Sequence, residues 1–248
     1  MNDYMSDRTF ALRSPPRSRL RRQGSLAQQL AVQILKGELP PGHVFPGEIE
    51  FSGQLGISRS VLREALRILA AKGLIDSRPK AGTRVTARRH WSLLDPDLLA
   101  WQFEAEPTLE FLRDLFELRM VVEPSVAAFA AIRRTEAQVA EMGVALTAMA
   151  EHGLAVEAGR VADQRFHTVM LEASGNEAIV ALSSTIMAAI GWTTVYKQRN
   201  GALPRDPVPE HRAVHAAIAR RDATGAEAAM RELLRLALID TEVSMGAG

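Results

Sequence analysis

The sequence predicts a mainly α protein of two domains: a small N-terminal domain of helices closed by a β-hairpin, then an all-α antiparallel helical bundle. Three observations lead there. A chain of 248 residues exceeds one ordinary small domain. Charge divides unevenly, with 16 Lys and Arg against 7 Asp and Glu in residues 1–90, and 14 against 22 in residues 91–248. The apolar pattern also changes near residue 90, from short helical and β-type runs to long Ala/Leu/Glu-rich helical segments. A composition of 47% hydrophobic and 24% charged residues excludes wholesale disorder. No apolar run approaches the roughly 20 residues of a membrane span and no signal-peptide pattern opens the chain, so the expectation is a cytoplasmic protein without a membrane partner. The absence of cysteine excludes disulfides, thiolate zinc sites and cysteine nucleophiles.

Residues 1–23 carry Arg8, Arg13, Arg17, Arg19, Arg21 and Arg22 around Pro15-Pro16 with no apolar periodicity, and read as a flexible basic arm. Such an arm can lie in a DNA minor groove or stay an untethered tail, and a transit peptide shares its composition. The first folded domain is expected over 24–90. From Ser25 the pattern turns helical, with Leu26, Leu30, Ile34 and Leu35 on one face, until Leu39-Pro40-Pro41-Gly42 breaks it. Glu48 to Gln54 suits a short helix, Gly56 a turn, and Ser58 an N-cap for a helix running to about Lys72. In that helix Val61, Leu62, Ala65, Leu66 and Leu69 form the buried stripe. Gly73 stops it, and Leu74 to Ser77 and Thr83 to Thr86 flank the basic tip Arg78-Pro79-Lys80-Ala81-Gly82.

Helix, turn, helix and hairpin outline a winged helix-turn-helix. Recognition helices present their N-terminal side chains to base edges in the major groove, with Arg bonding guanine or gripping phosphate. Ser58, Arg59, Ser60 and Arg63 supply that chemistry, while Arg67, one turn on, suits phosphate or solvent. A lone arginine-bearing helix is more often a solvated face; the turn, the hairpin and the basic half favour a polyanionic partner here.

The second domain, 91–248, reads as helices near 96–103, 108–132, 135–152, 155–173, 176–198, 209–220 and 222–243. Asp163 and His167 stand i, i+4, placing a carboxylate and an imidazole on one helix face, and His211 and His215 repeat the spacing. Two such pairs facing each other across a bundle would make a mixed O/N site for a divalent metal, although either alone is as well explained by exposed or capping histidines. Zinc is the first expectation, with nickel or manganese also compatible.

The residues Phe45-Pro46-Gly47-Glu48, Leu55 through Leu66, Lys72-Gly73-Leu74-Ile75 and Gly82-Thr83-Arg84-Val85 resemble the DNA-binding domain of GntR-family transcription regulators. The resemblance implies base and phosphate contacts by Arg59 and Arg63, and a wing glycine at Gly82 that approaches the minor groove. Ile49 stands where many members carry an arginine and can donate to neither base nor phosphate. Residues 95–240 resemble the all-helical FCD effector domain of the FadR-type branch, through Leu118-Arg119-Met120-Val121-Val122-Glu123-Pro124, Asp163 to His167, Glu210 to Ile218, Asp222 and Ala229-Met230-Arg231. The resemblance makes Asp163, His167 and His211 metal ligands. It puts the family's fourth ligand at Leu233, which cannot bind metal, so water, effector oxygen or His215 would fill the place.

The junction Trp91 to Trp101 resembles that of sugar-acid-responsive members, galactonate-type repressors among them, which similarly lack the fourth histidine. Arg119 corresponds to a cavity arginine that would bond a carboxylate effector, and its alternative is an exposed ion pair with Glu123. The expected protein is a homodimeric regulator of double-stranded operator DNA, a repressor released by a small sugar acid, and not an enzyme. Two alternatives stay open. A metal-dependent hydrolase could use the same Asp/His/His set, though no general base or zinc-hydrolase motif is evident. A constitutive DNA-binding protein would use the acidic half only to dimerise.

Overall fold

A computed structural model describes residues 17–78, 82–199 and 205–246. The chain forms two compact units that part between Ser92 and Leu93.

In the first unit, α1 (Arg17–Leu35) buries Ala27, Leu30, Ala31 and Ile34 and packs on α3 (Arg59–Ala71), which buries Leu62, Ala65, Leu66 and Leu69. α1 begins at Arg17, ahead of the Ser25 start expected from apolar spacing, because Arg, Leu and Gln are good helix formers without needing an apolar face. Of the expected arm, residues 1–16 lie outside the described residues and 17–23 belong to α1. The short α2 (Glu48–Gln54) is held by Phe51, which stacks on Phe45 with ring centroids 5.6 Å apart. β1 (Ile75–Arg78) pairs antiparallel with β2 (Gly82–Val85) in the register Ile75↔Val85 to Arg78↔Gly82, one residue from the expected strand ends. The wing tip, Pro79 to Ala81, lies outside the described residues.

Gly73 has φ +73°, and a Cβ there would run into the His90 carbonyl. Arg88–His90 forms a 3-10 turn, after which Trp91 donates from Nε1 to Thr86 Oγ1 at 3.1 Å.

The second unit is all helix among its described residues: α4 (Pro96–Glu104), α5 (Leu109–Arg133), α6 (Glu136–His152), α7 (Glu157–Ala173), α8 (Glu177–Val180), α9 (Ser183–Arg199), α10 (Val208–Ala219) and α11 (Ala223–Gly246). Carboxylate, hydroxyl and carboxamide oxygens at Asp95, Thr108, Thr135 and Asn176 accept the first free N–H groups of α4, α5, α6 and α8. The single helix expected over 176–198 is broken at Ala181-Leu182. No Gly or Pro marks the break; α9 restarts where Thr185 Oγ1 donates to Leu94 O at 2.8 Å, a tertiary contact. The core joins Phe166, Met170, Met142, Met149 and Met230, all fully buried, across α6, α7 and α11. No described helix is long and apolar enough to cross a membrane.

Candidate functional site

The first unit exposes its chemistry at the start of α3. Ser58 caps the helix, its Oγ accepting from Val61 N at 3.4 Å and lying 3.0 Å from Ser60 Oγ. Arg59 is exposed and makes no hydrogen bond or ion pair among the described residues. Arg63 Nη2 donates to Glu48 Oε2 at 2.8 Å and Arg67 Nη2 to Glu64 Oε1 at 2.7 Å, with both arginine side chains mostly solvent-exposed. These pairs lower the carboxyl pKa values of Glu48 and Glu64, chiefly through the arginine hydrogen bonds. Exposed pairs of this kind contribute little and exchange readily for another anion. Gly82 holds φ +77° at the wing, and Ile49 is 73% exposed on α2.

The second unit buries its chemistry. Asp163 and His167 from α7 meet His211 from α10: His211 Nε2 lies 3.0 Å from Asp163 Oδ1, His167 Nε2 lies 3.7 Å from the same oxygen, and the two Nε2 atoms are 3.3 Å apart. The three residues are at most 4% exposed, and one ligand atom from each falls within 4.8 Å of the others. His215 is not among them. One turn along α10 its Nε2 sits 2.9 Å from Val139 O, and that bond to α6 turns the ring away, so the expectation of an extra ligand is corrected. Leu233 lines the same cavity as the triad and offers it no donor atom.

Glu123 completes the cluster and is missed by a reading based on ligand spacing alone. It is fully buried; Arg119 Nε donates to its Oε1 at 2.6 Å, and His167 Nδ1 lies 2.9 Å from Oε2 without regular hydrogen-bond alignment. Burial opposes its charge, but Arg119 and then His167 outweigh burial and bring the carboxyl down to about 2. The pair with Arg119 is therefore buried, unlike the exposed pair of the alternative reading of Arg119. Burial likewise opposes ionisation of Asp163, and the His211 hydrogen bond with the charges of His211, His167 and Arg119 holds it below the usual carboxylate range.

The donor set fits a cation. His211 Nδ1 faces the Pro207 carbonyl at 2.8 Å and His167 Nδ1 faces Glu123, so both rings turn Nε2 toward Asp163. His211 Nε2 lies within hydrogen-bond reach of the Asp163 oxygen, and a divalent ion held by Asp163, His167 and His211 would take the place of that contact. Mixed O/N ligation suits zinc, nickel or manganese.

Around the triad is a cavity of about 40 Å³ whose wall also includes Arg119, Thr194, Lys197, Arg205 and Asp240. Arg205 is paired with Glu210 at 2.7 Å and Asp240 at 2.9 Å. Lys197 has its pKa lowered, first by burial and then by Arg119 and Arg205, against the pull of Asp240 and Asp163.

A helix-turn-helix unit with a wing and exposed arginines, followed in the chain by a helical unit whose cavity is lined by ionisable side chains, defines a DNA-binding regulator with a ligand-sensing domain. Residues 22–85 match the bacterial regulatory proteins of the gntR family, and residues 114–236 match the FCD domain. The chain is 33% identical over 215 residues to an uncharacterised HTH-type transcriptional regulator, YieP, of Escherichia coli (85% of this chain, 91% of that one). It is 33% identical over 204 residues to the galactonate operon transcriptional repressor of the same organism (81% and 88%). A solved structure of the Listeria monocytogenes regulator Lar gives a TM-score of 0.58 at 16% identity, covering 89% of this chain and 96% of that one, a likeness of fold alone. The chain belongs to the GntR family and carries an FCD domain: it is a transcription regulator and not an enzyme.

Proposed function

We propose that this protein is a cytoplasmic repressor of sugar-acid catabolism genes that binds a pseudo-palindromic operator as a homodimer and is released by a small carboxylate. Ser58, Arg59, Ser60 and Arg63 face the major groove, Arg67 the phosphates, and Gly82 the minor groove. The effector occupies the cavity of the second unit. The observation that carries this reading is the convergence of Asp163, His167 and His211 in a buried cavity beside Arg119, whose Nη1 and Nη2 make no hydrogen bond among the described residues. A divalent ion at the triad, zinc foremost, supplies a positive centre with positions open to carboxylate and hydroxyl oxygens. Arg119 adds charge-assisted bonds to the same anion.

The aldonate class rests on the likeness to the galactonate operon repressor. The effector releases DNA only by favouring one state of the dimer, since equal affinity for both shifts nothing, and Arg88 to Asp97 is the covalent link through which that preference passes. Footprinting the region upstream of the gene, with and without hexonates, hexuronates, dicarboxylates and acyl thioesters, tests the proposal. Protection lost with a hexonate is the expected result, and loss with an acyl thioester alone would overturn the effector class.

A further inference from the structure

We infer that Lys197 and Thr194 select the effector's hydroxylated chain, so that the cavity prefers a polyhydroxy acid with one carboxylate to the matching diacid. The inference rests on the carboxylate-effector reading above and adds residues and a charge to it.

α9 brings three polar side chains to the cavity wall. Thr193 is already used, its Oγ1 donating to Ala189 O at 2.7 Å and Ile190 O at 3.0 Å. Thr194 is 5% exposed and makes no hydrogen bond among the described residues, and Lys197 makes neither hydrogen bond nor ion pair among them. The Thr194 hydroxyl and the half-buried Lys197 ammonium therefore reach the cavity with their hydrogen-bonding capacity unused by the protein, and a ligand that brings oxygens to them would use it. Arg205 is ion-paired with Glu210 and Asp240 while its guanidinium nitrogens find no aligned hydrogen-bond acceptor among the described residues, so it adds a further cation to the same wall.

Position and charge say which oxygens. Residues three apart share a helix face, so Thr194 and Lys197 present a donor–acceptor hydroxyl and an ammonium side by side, a match for neighbouring hydroxyls of one chain. Charge excludes a second carboxylate. With Lys197 as ammonium, the cations Arg119, Lys197 and Arg205 stand against the carboxylates Glu123, Asp163, Glu210 and Asp240, leaving one negative charge. A divalent ion turns that into one positive charge. One carboxylate then neutralises the site, and a diacid leaves a net negative charge away from water, which is costly.

Calorimetric titration of the zinc-loaded full-length protein with a hexonate, the hexarate of the same configuration, and lactate tests this. Wild type should bind the hexonate at least tenfold more tightly than the hexarate. Lys197→Met and Thr194→Val should each weaken the hexonate tenfold or more and leave lactate, which has no distal hydroxyls, within about twofold. Zinc content and melting temperature of each variant report whether it is folded, and Lys197→Gln, which keeps length and a donor, should fall between Lys197→Met and wild type. Equal losses for hexonate and lactate, or a hexarate bound as tightly as the hexonate, would overturn the inference while the carboxylate reading stands. No binding of any of the three to wild type would overturn both.

Discussion

The two units place charged groups in opposite physical settings. Around α3, Arg59, Arg63 and Arg67 sit in water, and their carboxylate partners are exposed or half-buried. Around α7 and α10, Glu123, Asp163, His167, His211 and Arg119 are buried and joined in one network. An exposed pair is screened by salt and gives way to a phosphate with little penalty, which suits a surface that must grip and release a polyanion. A buried network is costly to break and holds its donors in place before a ligand arrives, which suits a site that must recognise one small molecule.

Breaking the buried network should give the largest effect. Glu123→Ala leaves Arg119 without its partner and is expected to destabilise the second unit by about 3–5 kcal/mol in urea unfolding, the usual cost of an orphaned buried charge. Glu123→Gln, which keeps shape and an acceptor, should cost less; equal and small losses would mean that the network is hydrated rather than buried. In the first unit the most sensitive position is one of backbone. Gly73→Ala combines a left-handed φ with collision against the His90 carbonyl, and should cost about 1–3 kcal/mol or more. Its operator affinity should drop while its zinc binding matches wild type; a parallel loss of zinc would contradict the separation into two units.

The exposed side should respond in affinity and not in fold. Arg63→Ala is expected to weaken operator binding by roughly 5- to 150-fold with relaxed specificity at one base pair, as for loss of a base contact. Arg67→Ala should weaken all duplexes alike and reduce the slope of log affinity against log salt by about one. Both should melt at the wild-type temperature. A base-specific effect from Arg67 would place the reading face a turn further along α3.

How much of this was legible followed from how local each cause is. The breaks at Pro40-Pro41, Gly56 and Gly73 are written in single residues, so the order of helix, turn, helix and wing could be read directly. Residues 17–23 of the expected 1–23 arm are helical although they carry no apolar periodicity, because helix propensity without an apolar face leaves no spacing signal. Asp163 and His167 share a helix face by spacing, but spacing says the same of His211 and His215, and only the packing of α10 on α6 separates the two: His211 turns to the triad, His215 to Val139 O. Glu123 was visible as a partner of Arg119, yet its burial and its contact with His167 depend on α5 packing against α7. Thr194 and Lys197 carry no pattern at all, and the break before α9 has no breaker residue. Each is set by tertiary contact.

The central claim is that one buried site controls one exposed face. Anisotropy of a labelled operator duplex, titrated with a hexonate against zinc-loaded wild type and His167→Ala, addresses it most directly. Wild type should release the duplex on addition of hexonate, while His167→Ala should bind the duplex with unchanged affinity and keep it at every hexonate concentration. Release of equal extent from both proteins would contradict the account.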